Sequence, residues 1–386
     1  GLEKVATTDV ALLNNASRPL CVDGPTGDGG CFDAVRNNPL NGWKPGFVVW
    51  ALVSSDVTAA IAFAMRHTLC VSVLGTGHDF LNRHSCPTGG VLIRTTLMKE
   101  VTFLPNTTAH GAFRFGPGLT FSEAHKAAAN VNRVVASGWA STVGILGWSI
   151  GGGHGPFGPK YGLGVDNIIS LEVATSRYGA GRGAVVVANS TYNWDLFQAL
   201  RGGGGSTWGV VVSITVRAHP IPTGGFTVAK TAFVGSFCDE VYNPETKLYG
   251  RGGLGLLTGQ AFDWMLGLNS NFGGLSYWWA QRTDKPGFCG ANWTVWIQYA
   301  YLGPPNSSEL TASFDLLTTQ GDIKAALPAY YKGYANWFEY VDGDCEPIYP
   351  WPWLAGAPPQ RPIGGLPSAL VDREMFEARN QRPAAA

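Results

Sequence analysis

Between residues 47 and 74 the spacing of apolar positions changes period twice. "FVVWALV" (47–53) is a β-branched and aromatic run with the length of one strand. "SSDVTAAIAFAMRHT" (54–68) places its apolar residues at helical spacing, with Ser54 or Ser55 as the cap. "LCVSVL" (69–74) returns to a strand pattern. The stretch predicts a strand–helix–strand unit that ends at Gly75-Thr76-Gly77-His78. Ligands of α/β folds bind at the carboxyl ends of strands, which is where this turn falls. Glycine there permits positive φ and close approach of another molecule, and His78 and Asp79 are presented beside it.

Further along, "GGVLIRTTLMKEVTF" (89–103) reads as a pair of strands. "GPGLTFSEAHKAAANVNRV" (116–134) reads as a strand end and an alanine-rich helix capped by Thr120 or Ser122. Residues 138–164 hold ten glycines, a density that predicts a loop rather than a helix or strand. "VDNIISLEVATS" (165–176) is a strand, and 191–220 is a short helix, a second glycine cluster and a strong strand. After about residue 222 the texture changes to Gly-Gly pairs and aromatics. The strand "NWTVWIQYAYL" (292–302) predicts a largely β region, with "SSELTASFDLLTTQ" (307–320) as a helix across one face. The chain divides into an N-terminal extension (1–44), an α/β half (45–222), the β region (223–342) and an irregular Pro- and Trp-rich tail (343–386).

Lys+Arg and Asp+Glu are equal at 27 each, and only 14% of the 386 residues are charged. This removes the electrostatic case for nucleic acid or an anionic membrane surface as partner. No apolar run has the length of a membrane span, and no signal-peptide pattern is visible; a start at Gly1 is what would be expected of a mature, processed protein. Asn15, Asn106, Asn189, Asn292 and Asn306 each begin an Asn-x-Ser/Thr sequon in loop-like sequence, which predicts glycosylation and an extracellular location. The seven cysteines form no Cys-x-x-Cys pair; Cys21 and Cys31 flank a Gly/Asp-rich turn and are expected to form a disulfide. The odd count leaves one thiol free or paired outside the chain.

Glycine-rich loops at 75–77, 144–155 and 202–205 could cradle a phosphate through backbone N–H groups. Neither the Rossmann nor the Walker spacing is present. Each loop alone reads as packing, but three in one α/β half point to a ligand. "GWSIG" (147–151) matches the nucleophile elbow formally, yet Gly151-Gly152-Gly153 would break the helix that motif needs, so Ser149 is no nucleophile. His78, Asp79, His84 and Cys86 fit no metal-binding spacing, and no metal is expected.

Over about residues 45–220 these segments together resemble the PCMH-type FAD-binding domain of the vanillyl-alcohol oxidase superfamily. Within it, they resemble the berberine bridge enzyme-like FAD-linked oxidases, nearest the fungal alcohol-oxidase-like branch. "VSVLGTGHDF" is similar to the family's Gly-Gly-His turn, and "ASTVGILGWSIGGGHG" to the glycine loop beside the isoalloxazine ring. "FGPGLTFSEAHKAA", "YGLGVDNIISLEVAT" and "LFQALRGGGGSTWGVVVSITVRAHP" follow in the family's order. The resemblance implies an α+β fold: two α/β subdomains holding FAD, then a mainly antiparallel-β substrate domain. It implies attachment of FAD through His78, with Leu74, Gly75, Thr76, Gly77, Asp79 and Phe80 around it. Ala140, Thr142, Val143, Gly144, Gly147, Gly151, Gly152, Gly153, His154, Gly209 and Val210 complete the implied cofactor site.

Many relatives make a second flavin bond through a cysteine at the position held here by Ala140, so a single bond through His78 is expected. Val143 stands where the family associates valine with oxygen access. The implied reaction is oxidation of an alcohol or sugar hydroxyl, hydride passing to flavin N5 and oxygen leaving as hydrogen peroxide. Tyr299, Tyr301, Glu339 and Asp342 are candidate bases from the second domain, none singled out. Trp337, Tyr349, Trp351 and Trp353 could stack on sugar rings, though packing is the commoner role of such residues. The family's C-terminal segment, which returns to the FAD domain, is not recognisable in residues 340–386; the expectation is that the chain is processed or truncated, that the segment has diverged, or that another chain supplies it. The alternative reading is an inactive extracellular glycoprotein that keeps the oxidase fold as a scaffold.

Overall fold

The computed structural model describes residues 45–79, 84, 86, 90–176, 184–205, 207–236, 242–243, 248–249, 253–282, 291–320 and 323–344. The predicted βαβ unit is present as β1 (Phe47–Trp50), α1 (Ser54–Arg66) and β2 (Val71–Leu74). β3 (Val91–Arg94) lies between the two strands and pairs with both in parallel. Neither Ser54 nor Ser55 caps α1: the Asp56 carboxylate accepts from the backbone N–H groups of Leu52 and Val53, at 2.9 and 3.1 Å. Its buried stripe, Val57, Ala60, Ile61 and Ala64, follows the helical period.

The rest of this unit runs through β4 (Val101–Leu104), β5 (Ala112–Phe115), α2 (Phe121–Ala129) and β6 (Arg133–Val134). It continues through α3 (Ile145–Ile150), α4 (Gly158–Tyr161), α5 (Gly164–Asn167), β7 (Ile168–Thr175) and β8 (Ala184–Asn189). It ends with α6 (Trp194–Leu200), β9 (Val210–Arg217) and β10 (His219–Pro220). A five-stranded antiparallel sheet, β4-β5-β9-β7-β8, carries a core on each face. One face packs Phe113, Phe121, Ile145 and Leu171; the other packs Val210 and Val212 against α1. Thr120, not Ser122, caps α2: its hydroxyl accepts from Glu123 N–H while the Glu123 carboxylate accepts from Thr120 N–H.

The glycine-rich stretch 138–164 was expected to be loop throughout, and it is not. It holds α3, α4 and the first residue of α5. In α3 the side chains of Ile145, Leu146, Ser149 and Ile150 are buried, and that tertiary burial outweighs the helix cost of Gly147.

The second unit is a four-stranded antiparallel sheet, as expected. It contains β11 (Phe226–Ser236), the short pair β12 (Tyr242–Asn243) and β13 (Leu248–Tyr249), and α7 (Gly253–Gly267). It then runs through β14 (Phe272–Arg282), β15 (Ala291–Tyr301), α8 (Ser308–Asp315, extended by a π turn to Gln320) and β16 (Leu327–Tyr334). The strand order is β14-β15-β11-β16. Leu257, Ala261 and Trp264 of α7 and Leu310 and Phe314 of α8 cover one sheet face. The units divide after Ile221, next to the expected boundary, but the first unit resumes at Asn336. There α9 (Trp337–Glu339) and a π turn to Asp344 pack against α2, which moves the expected end of the second domain from 342 to Ala335.

Candidate cofactor site

Parallel pairing places Leu74 and Arg94 in register, so the turns leaving β2 and β3 emerge side by side. Gly77 has φ +86°, a conformation that glycine adopts without strain. Thr76 packs against Gly144, where an added Cβ would come within 3.0 Å of Thr76 Oγ1. The segment before α3 is fastened to α2: Phe121 N–H donates to Val143 O at 2.9 Å and Ser122 N–H to Ser141 O at 3.0 Å. Between these two anchored neighbours, Thr142 reaches His78, with Oγ1 at 3.0 Å from Nε2. Two turns 64 residues apart thus meet through one hydrogen bond.

Burial holds the pKa of His78 below the usual imidazole value, and its hydrogen bonding to Thr142 works in the opposite sense. The lowered value favours the neutral ring, which has a lone pair to offer. The glycines of the neighbouring loop divide into two kinds. Gly153 is pressed against Gly164 and Trp148, with an added Cβ 2.6 Å from Gly164 Cα, and a Cβ on Gly151 would sit 3.1 Å from Gly147 O. Gly147 and Gly152 have nothing within 4 Å of an added Cβ. Just past β3, the buried Thr96 hydroxyl has no hydrogen-bond partner. Open-sided glycines, a neutral histidine and an unsatisfied hydroxyl fit a large flat ligand that passes close to the backbone.

Other expected site residues fall differently. Leu74 is buried at the end of β2, and Asp79 is half-buried, its charge acting on His84. Ala140 is exposed, its carbonyl accepting from Val143 N–H, and exposed His154 accepts the indole N–H of Trp148 on its carbonyl at 2.9 Å. Gly209 and Val210 are accounted for by packing: a Cβ on Gly209 would be 2.8 Å from Val173 Cγ1, and Val210 is buried against α1. Ser149 is buried in α3. Phe80 lies outside the described residues.

The candidate bases need correction. Tyr299 and Tyr301 point to the face covered by helices: Tyr299 meets Trp264 edge-on at 4.8 Å, and Tyr301 donates to Glu309 at 2.6 Å. Burial pushes the Tyr299 phenol up to about 12. Register puts Trp296 and Gln298 on the other face, with Tyr277, Lys230 and Tyr330 as cross-strand neighbours. Glu339 and Asp342 belong to the first unit, not the second. Trp337 is 1% exposed and cannot stack on a sugar; Tyr349, Trp351 and Trp353 lie outside the described residues.

Sequence reasoning missed the disulfide between Cys70 and Cys86, which brackets β2 and the His78 turn. A cysteine on each side of the turn was the available signal, masked by weighing Cys86 as a metal ligand. Among the described residues no cluster of His, Cys, Asp and Glu could hold a metal, and no helix is long and apolar enough to cross a membrane. The Cys21–Cys31 pair and Asn15 lie outside the described residues. Asn106 and Asn306 are exposed in turns, whereas the Asn189 side chain accepts from Thr191 and Tyr192 N–H groups. Asn292 was expected in a loop but lies in β15, paired on both sides.

Residues 45–180 match the FAD binding domain family. That stretch makes up most of the described part of the first unit, and the chain is similar there to named FAD-linked oxidoreductases and VAO-type flavoproteins. The FAD-linked oxidoreductase ZEB1 of Gibberella zeae is 40% identical over 178 residues, covering 45% of this chain and 30% of that protein. The crystal structure of the VAO-type flavoprotein MtVAO615 from Myceliophthora thermophila C1 superposes with TM-score 0.58 and 25% identity, covering 79% of this chain and 51% of that one. BBE-like 1 of Physcomitrella patens, at 20% identity and TM-score 0.60, shares the fold, covering 79% of this chain and 61% of that one. The chain therefore spans about half the length of the solved relatives it matches.

Proposed function

We propose that this chain is the flavin-carrying part of a secreted FAD-dependent oxidase acting on an alcohol or sugar hydroxyl. The observation that carries the reading is His78, held by Thr142 at the β2 turn, where the glycine-rich segment also meets Thr76 through Gly144. When bound, FAD supplies the chemistry of hydride acceptance from the substrate carbon and electron delivery to oxygen. His78 would hold the flavin covalently and Ala140 offers no second nucleophile, so the attachment is single. Thr142 orients the imidazole, burial keeps it neutral, and Thr76 and Gly144 set the distance between the two turns. Half-buried Val143 lines the same loop, where the family associates valine with the use of oxygen. Secretion is supported by the Cys70–Cys86 disulfide and by the exposed sequons at Asn106 and Asn306.

The test is acid precipitation of the purified protein. Yellow colour should stay in the pellet, and His78→Ala should abolish it while the wild type releases peroxide with an alcohol or sugar. A colourless wild-type protein, or colour unchanged in the variant, overturns the reading. The scaffold alternative rested partly on the family's C-terminal segment not being recognisable in residues 340–386; residues 336–344 pack in the first unit, and the rest of that stretch lies outside the described residues.

A further inference from the structure

The glycine loop that approaches His78 is closed by a residue from far along the chain. Trp337 lies 5.7 Å from Trp139, at the start of the loop, and 4.7 Å from Phe157, just beyond its end, measured between ring centroids. Both contacts are edge-on. Tyr340 joins the cluster at 4.6 Å from Trp337 and 5.8 Å from Trp139. Trp337 is buried and starts the three-residue helix that Asn336 caps by accepting from Glu339 N–H. The loop is also tied internally: a Cβ on Gly155 would fall 1.8 Å from Ser137 O, and Trp148 donates its indole N–H to His154 O. Its two ends are therefore pinned, and the part between them carries Thr142, which meets His78, and Gly144, which meets Thr76.

We propose that Trp337 is a positioning residue for the flavin site. By wedging between Trp139 and Phe157 it sets the separation of the loop ends, and through the loop it sets where Thr142 stands against His78. The inference rests on the flavin reading for its consequence, but its geometry lies wholly in residues of the first unit. A loop with only local ties could open at either end. An indole packed against both ends removes that freedom, at a position 180 residues away in sequence where the chain has already built another unit.

The experiment uses the full chain with Trp337→Ala, Trp337→Phe and, as a control of comparable burial in the other unit, Phe314→Ala. Hydrogen exchange over residues 139–157 is read in the protein without flavin. The rate of acid-stable flavin incorporation is read separately. Trp337→Ala should raise exchange in the loop and slow incorporation by about tenfold, the scale of a reacting group misplaced by a fraction of an ångström. Trp337→Phe should recover most of both, and Phe314→Ala should move neither. Where the alanine variant does not fold, Trp337→Leu, which keeps apolar volume but no ring, takes its place. Loop exchange in the Trp337 variants no different from that in Phe314→Ala overturns the proposal. If the wild type takes up no flavin, the functional reading fails, and loop exchange still decides the role of Trp337.

Discussion

The glycines in the second unit's sheet and those of the first unit's glycine-rich segment differ in what surrounds them. In the second unit's sheet, glycines make room for rings: an added Cβ would lie 2.1 Å from the Trp293 ring at Gly235 and 2.4 Å from the Tyr299 ring at Gly274. These positions are full, and the aromatic core of that unit depends on them. In the first unit's glycine-rich segment, an added Cβ at Gly147 or Gly152 would meet nothing within 4 Å. The same unit also has filled glycines, such as Gly90 against Cys70 O and Gly155 against Ser137 O. Glycine density is thus no sign of a ligand. Nor is an open side enough, since Gly255, Gly259 and Gly267 of α7 are equally open; the glycine-rich segment of the first unit stands out because it also meets the His78 turn.

The largest effect should come from removing the staple that an open turn needs. Cys70–Cys86 closes a segment of sequence separation 16, and its loss by Cys86→Ala should cost about 3 kcal/mol by loop-closure entropy. Denaturant unfolding with and without a dithiol checks this; equal midpoints for wild type and variant would show that the turn holds itself. Next, Gly235→Ala should destabilise by about 1–3 kcal/mol, because the Trp293 ring must move inside a packed core. A neutral result by thermal melting would break the comparison on the second unit's side.

Acid should act through the first unit, since all seven histidines precede residue 222. His125 is buried in α2 with its pKa pushed from 6.5 to about 3 by desolvation, and burial, with smaller contributions from His110 and Arg217, lowers His219 to about 4. For His125 the folded state refuses a proton that the unfolded chain takes. Its contribution is complete above pH 6.5 and is lost as the pH falls toward 3, by about 1.4 kcal/mol per pH unit. His125→Gln should flatten that part of the stability curve, and an unchanged slope would refute the assignment. The smallest change is Gly147→Ala. Within α3 it should add up to about 1 kcal/mol, since alanine is the better helix former and its Cβ meets nothing. Flavin affinity should fall at the same time. A variant that is stabler and still binds flavin normally would show that the open side of Gly147 does not face the cofactor.

Much of the first unit was legible in the sequence because its elements obey simple periods. α1 repeats at 57, 60, 61 and 64, and β2 runs straight into its glycine turn. The glycine-rich helices were hidden for one shared reason. Gly253, Gly255 and Gly259 in α7, like Gly144 and Gly147 around α3, lower local helix propensity, and burial supplied by distant residues restores it. Alternation in β15 divided Tyr299 and Tyr301 from Trp296 and Gln298, but it could not say which set the helices would cover.

By itself, the sequence determined the strand–helix–strand order that leads into the turn and the place of His78 at a strand's carboxyl end. Each follows from neighbours along the chain. Only the tertiary structure decided that Thr142 meets His78, that Cys70 pairs with Cys86, that Trp337 is buried between Trp139 and Phe157, and which glycines stay open. Those are contacts between segments far apart in sequence, and their partners are chosen by packing and burial rather than by local spacing.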